Sequence, residues 1–277
     1  MGEATVSKPL LVLLHGFLGD RHDWQPLLPL LEPHFHCLCP ELPGHGLNVD
    51  QPLPTPGLEA AATRILAQLD SITPHGDQPG SFHLYGYSLG GRIALHLAKQ
   101  LALSTPERLL SLTLESSHPG LISASERQER LASDAVWAER LRHEPMTDFL
   151  DAWYRQPPFA ELSEQARSAL IEKRAGQNPA ALANCLLACS LGLQQDLSVL
   201  PGQLPSPVHY LYGERDSKFA ALAQAWRAQA EQQPGINQLH LHPIAAAGHN
   251  CHLARPEAVT AVMIQLLQQP HQQGSSQ

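Results

Sequence analysis

The chain has 277 residues, 26 of them acidic and 18 basic, for a formal net charge of −8. That length suits one α/β domain with an insertion and is short for two independent domains. The acidic balance argues against nucleic acid or an anionic membrane surface as partner, and there is no run of about 18 apolar residues to cross a bilayer.

The residues ahead of Leu10 carry no signal-peptide pattern. Leu10–Leu14 is an uncharged apolar run, as expected of a central parallel strand, and it ends in His15-Gly16-Phe17-Leu18-Gly19. Further strands are expected around 34–39, 81–86, 109–115, 208–212 and 238–243, with amphipathic helices near 57–72, 91–102, 217–231 and 256–268. Strands separated by helix-length connections predict an α/β fold with a mostly parallel, doubly wound sheet. Five cysteines show no framework spacing: Cys37 and Cys39 share one strand face, and Cys185 and Cys189 lie one helical turn apart. They read as buried small hydrophobes in a reducing cytoplasm.

Between the third strand and the next helix stands Gly86-Tyr87-Ser88-Leu89-Gly90-Gly91. A Gly-x-Ser-x-Gly turn from strand to helix is the nucleophile elbow, which lifts a serine Oγ above the sheet on a strained backbone. The pattern is short, and taken alone it also fits a glycine-rich turn with an incidental serine. A serine needs a histidine to take its proton and an acid to orient that histidine. In this fold they follow in the order acid, then histidine, on loops after later strands. Gly213-Glu214-Arg215-Asp216 leaves the strand over 208–212, and Ala247-Gly248-His249-Asn250 follows the one over 238–243. Ser88, His249 and one of Glu214 or Asp216 therefore form the candidate triad. The backbone N–H groups of Phe17, after His15-Gly16, and of Leu89, after the serine, are the candidate oxyanion donors.

From Ser117 to about Pro205 charged helical sequence replaces strand character, as in Ser125–Leu131, Thr147–Tyr154 and Ala180–Asn184. The expected organisation is a core of residues 1–116 and 206–270, a helical cap over 117–205, and a disordered tail over 271–277. His249-Asn250-Cys251-His252, with His240 and His242, raises a zinc site. No Cys-x₂-Cys or His-Glu-x₂-His pair supports it, and no Gly-x-Gly-x-x-Gly fingerprint supports a dinucleotide, so neither metal nor cofactor is expected.

These motifs resemble the α/β-hydrolase superfamily over essentially the whole chain. Within it, several segments look like the 2-succinyl-6-hydroxy-2,4-cyclohexadiene-1-carboxylate synthases, lyases of menaquinone biosynthesis. The matching segments are His15–Gly19 with Trp24, Gly86–Arg92, Ala152-Trp153-Tyr154-Arg155-Gln156-Pro157 with Phe159, Gly213–Phe219 and Ala247–Asn250. Glu41 departs from the Asp that relatives more often carry. With nine residues ahead of the first strand, the antiparallel pair that usually opens this fold is shortened or missing. The resemblance selects Asp216 as the acid, and it implies elimination of pyruvate from a small-molecule tricarboxylate without a cofactor, by a cytoplasmic monomer. It also implies substrate contacts from Tyr87, Arg92, Arg130, Trp153 and Phe159. Arginine suits two-pronged carboxylate recognition, although Arg127 has the same chemistry as its neighbour Arg130. The competing expectations are a carboxylesterase or thioesterase using Ser88 as acyl nucleophile, and a non-catalytic scaffold on the same fold.

Overall fold

The computed structural model describes residues 8–72, 80–232 and 239–268. Six strands, β1 (Leu10–Leu14), β2 (His36–Leu38), β3 (Phe82–Tyr87), β4 (Leu109–Glu115), β5 (Val208–Gly213) and β6 (Leu239–Ile244), pair throughout in parallel, in the order β2-β1-β3-β4-β5-β6. The chain leaves β1 toward β2 on one side and returns to build β3 on the other. This switch point opens a crevice at the C-terminal ends of β1 and β3.

Alternation along β1 shows why both sheet faces need cover. Leu11 and Leu13 pack with Val259, Met263 and Leu267 of α10 (Pro256–Leu267). Val12 and Leu14 pack with α2 (Leu58–Ile72) and α3 (Leu89–Ser104) on the opposite face. All four are fully buried, and each such side chain contributes about 1.5–3 kcal/mol. The short helix α1 (Leu28–Leu31) precedes β2, α8 (Ser217–Glu231) follows β5, and α9 (Cys251–Ala254) leads into α10.

Two expectations at the sheet edge need correction. β2 is only three residues long, because Phe35 already belongs to the turn leaving α1, which buries its ring in the core. Cys37 and Cys39 are half-buried, since β2 is an edge strand covered on fewer sides; Cys185, Cys189 and Cys251 are buried, and all five thiols are free. α3 also starts two residues earlier than expected, with Ser88 as its N-cap. The tail expectation for 271–277 lies outside the described residues. Among the described residues no helix is long and apolar enough to cross a membrane.

Between β4 and β5 run α4 (Ala124–His143), α5 (Met146–Trp153), α6 (Glu164–Arg174) and α7 (Pro179–Ala188). Ser123, Ser163 and Asn178 cap the first, third and fourth by accepting a backbone N–H three residues on. Leu141, Phe149, Leu150, Leu182 and Leu186 form a separate apolar cluster that closes over Leu18 of the β1 loop. Arg174 fastens this insertion to the core: its Nη2 donates to both carboxylate oxygens of Asp23 at 2.6 Å, and Lys173 adds a bond at 2.8 Å. Burial alone would raise Asp23, but Arg174 and Lys173 outweigh it and hold the carboxyl at about 2.

Both partners of this pair are 4% exposed, so removing one strands the other's charge. Asp23→Ala should cost about 3–5 kcal/mol of unfolding free energy, read by urea denaturation at neutral pH. A loss under about 1 kcal/mol, as for a surface pair, would show that the clamp is not needed.

Candidate active site

The elbow is built by steric exclusion. Ser88 has φ 51° and ψ −111°, in the region disfavoured for a residue with a side chain. A Cβ on Gly86 would lie 2.6 Å from the Gly90 carbonyl, and one on Gly90 would overlap the carbonyls of Leu14 and His15. The strained serine is held by its own backbone: its N–H donates to Glu115 O at 2.9 Å, and its carbonyl accepts from Arg92 N at 3.1 Å and Ser117 Oγ at 3.2 Å. Such a conformation costs on the order of 1–3 kcal/mol and persists only under constraint of this kind.

His249 and Asp216 meet from the two later loops. His249 Nδ1 donates to Asp216 Oδ2 at 2.8 Å, and Asp216 Oδ1 accepts the Phe219 N–H at 3.1 Å as the N-cap of α8. With its proton on Nδ1, the imidazole keeps Nε2 as an acceptor. Glu214, the competing acid, is exposed. Three rings enclose the imidazole, Phe219 at 4.6 Å, Tyr87 at 5.5 Å and Phe159 at 5.7 Å between centroids. Beneath the loop, the buried Glu115 carboxylate accepts from Tyr85 Oη, from the Cys251 N–H at 2.6 Å, and from the N–H and Nδ1 of His252. This knot ties the His249 loop to the end of β4.

The β1 loop lies against the elbow: a Cβ on Gly16 would come 3.5 Å from Ser88 Cβ. Among the described residues, neither the Phe17 N–H nor the Leu89 N–H has an acceptor. Two buried histidines shape this loop. His15 Nε2 accepts the Leu42 N–H at 3.1 Å, and His45 Nε2 accepts the Leu18 N–H at 3.1 Å, so each carries its proton on Nδ1, toward Gly16 O and Pro43 O respectively. Gln177 of the insertion donates to Leu18 O at 2.6 Å. Leu18, at φ 64°, is thereby pinned at both its N–H and its carbonyl.

The remaining sequence candidates fall into two groups. Trp153 packs on Phe17 at 5.2 Å and Phe159 on His249, so the two insertion aromatics reach both halves of the site. Tyr87 is 7% exposed and packs between His249 and His252. Arg92 turns inward: Nε donates to Gln194 Oε1 and Nη2 to Cys189 O, each at 2.5 Å. These bonds use two of the five guanidinium N–H groups and leave both on Nη1 and one on Nη2. Arg127 is engaged by the carbonyls of Gly192 and Gln194. Arg130 bonds Asp134 through Nε at 2.8 Å and remains 34% exposed. Burial and then Arg130 push Arg92 down to about 10, and Lys218 is lowered by the same two causes. Arg92 on Cys189 O and Arg130 on Asp134, which also accepts from Ser190 Oγ, converge on adjacent residues.

Relatives named 2-succinyl-6-hydroxy-2,4-cyclohexadiene-1-carboxylate synthase in Enterobacter sp. (strain 638) and Salmonella typhimurium (strain LT2) are 41% and 42% identical to the chain. Each match spans 94% of this chain, and 92% and 94% of the respective relative. The solved structure of MenH from S. aureus agrees with a TM-score of 0.81 at 26% identity, covering 97% of this chain and 98% of that one. The model of the alpha/beta hydrolase family matches residues 11–262. The chain belongs to the alpha/beta hydrolase family, in the branch of these synthases.

Within this hydrolase-family frame, sequence reasoning missed His45, Gln177, Gln194 and the Glu115–His252 pair. The sequence gives each of them no motif; their roles come from pairing across long stretches of chain. His45 has a measurable consequence. Burial, and then the nearby His15, push it from 6.5 down to about 3, and burial likewise lowers His96 to about 4. In the unfolded chain both take up a proton near pH 6.5, while the native state refuses it. Stability therefore falls as pH drops below about 6.5, by about 1.4 kcal/mol per pH unit for each such histidine. Melting curves should show a falling Tm from about pH 6 to pH 4, where Asp23 is still ionised. A Tm unchanged across that window would contradict the buried neutral assignment.

Proposed function

We propose that the chain is a carbon–oxygen lyase of menaquinone biosynthesis. It eliminates pyruvate from 2-succinyl-5-enolpyruvyl-6-hydroxy-3-cyclohexene-1-carboxylate to give 2-succinyl-6-hydroxy-2,4-cyclohexadiene-1-carboxylate. Ser88, His249 and Asp216 act as the triad. Ser88 Oγ gives its proton to His249 Nε2 and takes the proton from the ring carbon that bears the succinyl group. The electron pair moves onto the succinyl carbonyl, whose oxyanion the Phe17 and Leu89 N–H groups receive. Collapse of that charge through the ring double bond breaks the carbon–oxygen bond to the enolpyruvyl group, which takes the proton held by His249 and ketonises to pyruvate. Ser88 ends as a neutral hydroxyl, so no acyl-enzyme forms.

The observation that carries this reading is that two arginines, Arg92 on Cys189 O and Arg130 on the Asp134 that also accepts from Ser190 Oγ, converge on adjacent residues in a protein with net charge −8. A trianionic substrate needs local positive charge; a neutral ester does not. That favours the lyase over a carboxylesterase or thioesterase with Ser88 as acyl nucleophile. On this reading residues 117–205 are a cap that supplies Arg130, Trp153 and Phe159, over a core of 1–116 and 206–270. Tyr87 supports His249 from below. All these groups come from one chain, which fits a monomer, and the free thiols fit the cytoplasm.

Coupling the reaction to lactate dehydrogenase should register one pyruvate per ring product. Ser88→Ala should abolish it by several orders of magnitude, and Asp216→Asn should slow it about 10⁴-fold by reversing the histidine tautomer. Wild-type protein that cleaves p-nitrophenyl esters rapidly but releases no pyruvate would transfer the assignment to an esterase.

A further inference from the structure

His118 lies in the loop leaving β4, one residue beyond Ser117, whose Oγ bonds the Ser88 carbonyl. The segment is fixed on every side. Gln194 Nε2 donates to His118 O at 2.9 Å while its Oε1 holds Arg92, and the Leu197 N–H donates to Pro119 O at 2.8 Å. Gly120, at φ 136°, packs so closely that a Cβ would lie 2.6 Å from Asp196 Cα.

The Gly120 N–H donates to His118 Nδ1 at 3.0 Å. An acceptor at Nδ1 places the ring proton on Nε2. Among the described residues that Nε2–H has no acceptor, and the ring is partly exposed. Burial, followed by the charges of Arg92, Lys218 and Arg130, pushes the imidazole down to about 4 against an upward pull from Asp196. A neutral N–H donor thus lies in a strand-end loop that touches the elbow, one Gln194 side chain away from Arg92.

We propose that His118 is a substrate-binding residue whose Nε2–H donates to a carboxylate of the tricarboxylate. The inference rests on the proposed reaction and adds to it a donor that carries no charge of its own. Arg92 and Arg130 each spend part of their guanidinium on protein acceptors, and three carboxylates bring many oxygens for the remaining donors to share. A fixed neutral donor meets that need without adding further repulsion among the cations.

Two substitutions separate this role from a purely structural one. His118→Gln carries an amide nitrogen about where Nε2 stands and gives up the acceptor for Gly120. His118→Asn keeps an acceptor about where Nδ1 stands and gives up the donor. Pyruvate release by the full-length proteins, with kcat and KM resolved separately, should show His118→Gln near wild type in KM. His118→Asn should show a KM raised about tenfold or more, with kcat little changed. The reverse ranking, or equal KM values in wild type and His118→Asn, would overturn the assignment alone. Wild-type protein that releases no pyruvate would instead overturn the proposed reaction, and this assignment with it.

Discussion

Gly90 lies so close to the carbonyls of Leu14 and His15 that no side chain fits there, and this contact sets the distance between the ends of β1 and β3. Those two ends carry the Phe17 and Leu89 amides and, between them, Ser88. A wider gap would separate the two N–H groups proposed to share one oxyanion, and a relaxed serine would lower its Oγ toward the sheet. The rest of the molecule stabilises this arrangement from around it. Leucines fill both faces of β1, Glu115 accepts from the backbone of the His249 loop, and Asp216 both caps α8 and orients the imidazole.

The insertion does a second kind of work. Its clamp through Arg174 and Asp23, and its bond from Gln177 to Leu18, reach the same β1 loop that presents Phe17. Trp153 and Phe159 lie over that loop and over His249. In the proposed function, substrate recognition and amide positioning are therefore mechanically joined. Aromatic walls and neighbouring cations suit a ring bearing several carboxylates, and the low dielectric they create strengthens each charge contact.

The strands were legible in the sequence to within one residue, because parallel strands need continuous apolar runs such as Leu10–Leu14. β2 was the exception, since the turn leaving α1 takes up Phe35 before the strand begins. The elbow and the loops carrying Asp216 and His249 could be located because glycine spacing and chain order are local information. Arg92 shows the limit of such reading. Its position beside the elbow was evident, but its bonds to Gln194 and Cys189 join residues about a hundred positions apart. His118, His45 and Glu115 left no trace in the pattern, since what fixes their roles is pairing across the fold.

In the proposed reaction Ser88 is a base toward carbon, and the fate of one hydrogen tests this most directly. Substrate carrying deuterium at the ring carbon that bears the succinyl group should react more slowly than the protium form in a single turnover, with the label absent from the ring product. Intact mass of protein quenched during that turnover should show the unmodified chain. Equal rates for the two substrates, together with a covalent adduct on Ser88, would contradict proton abstraction and return the site to acyl transfer.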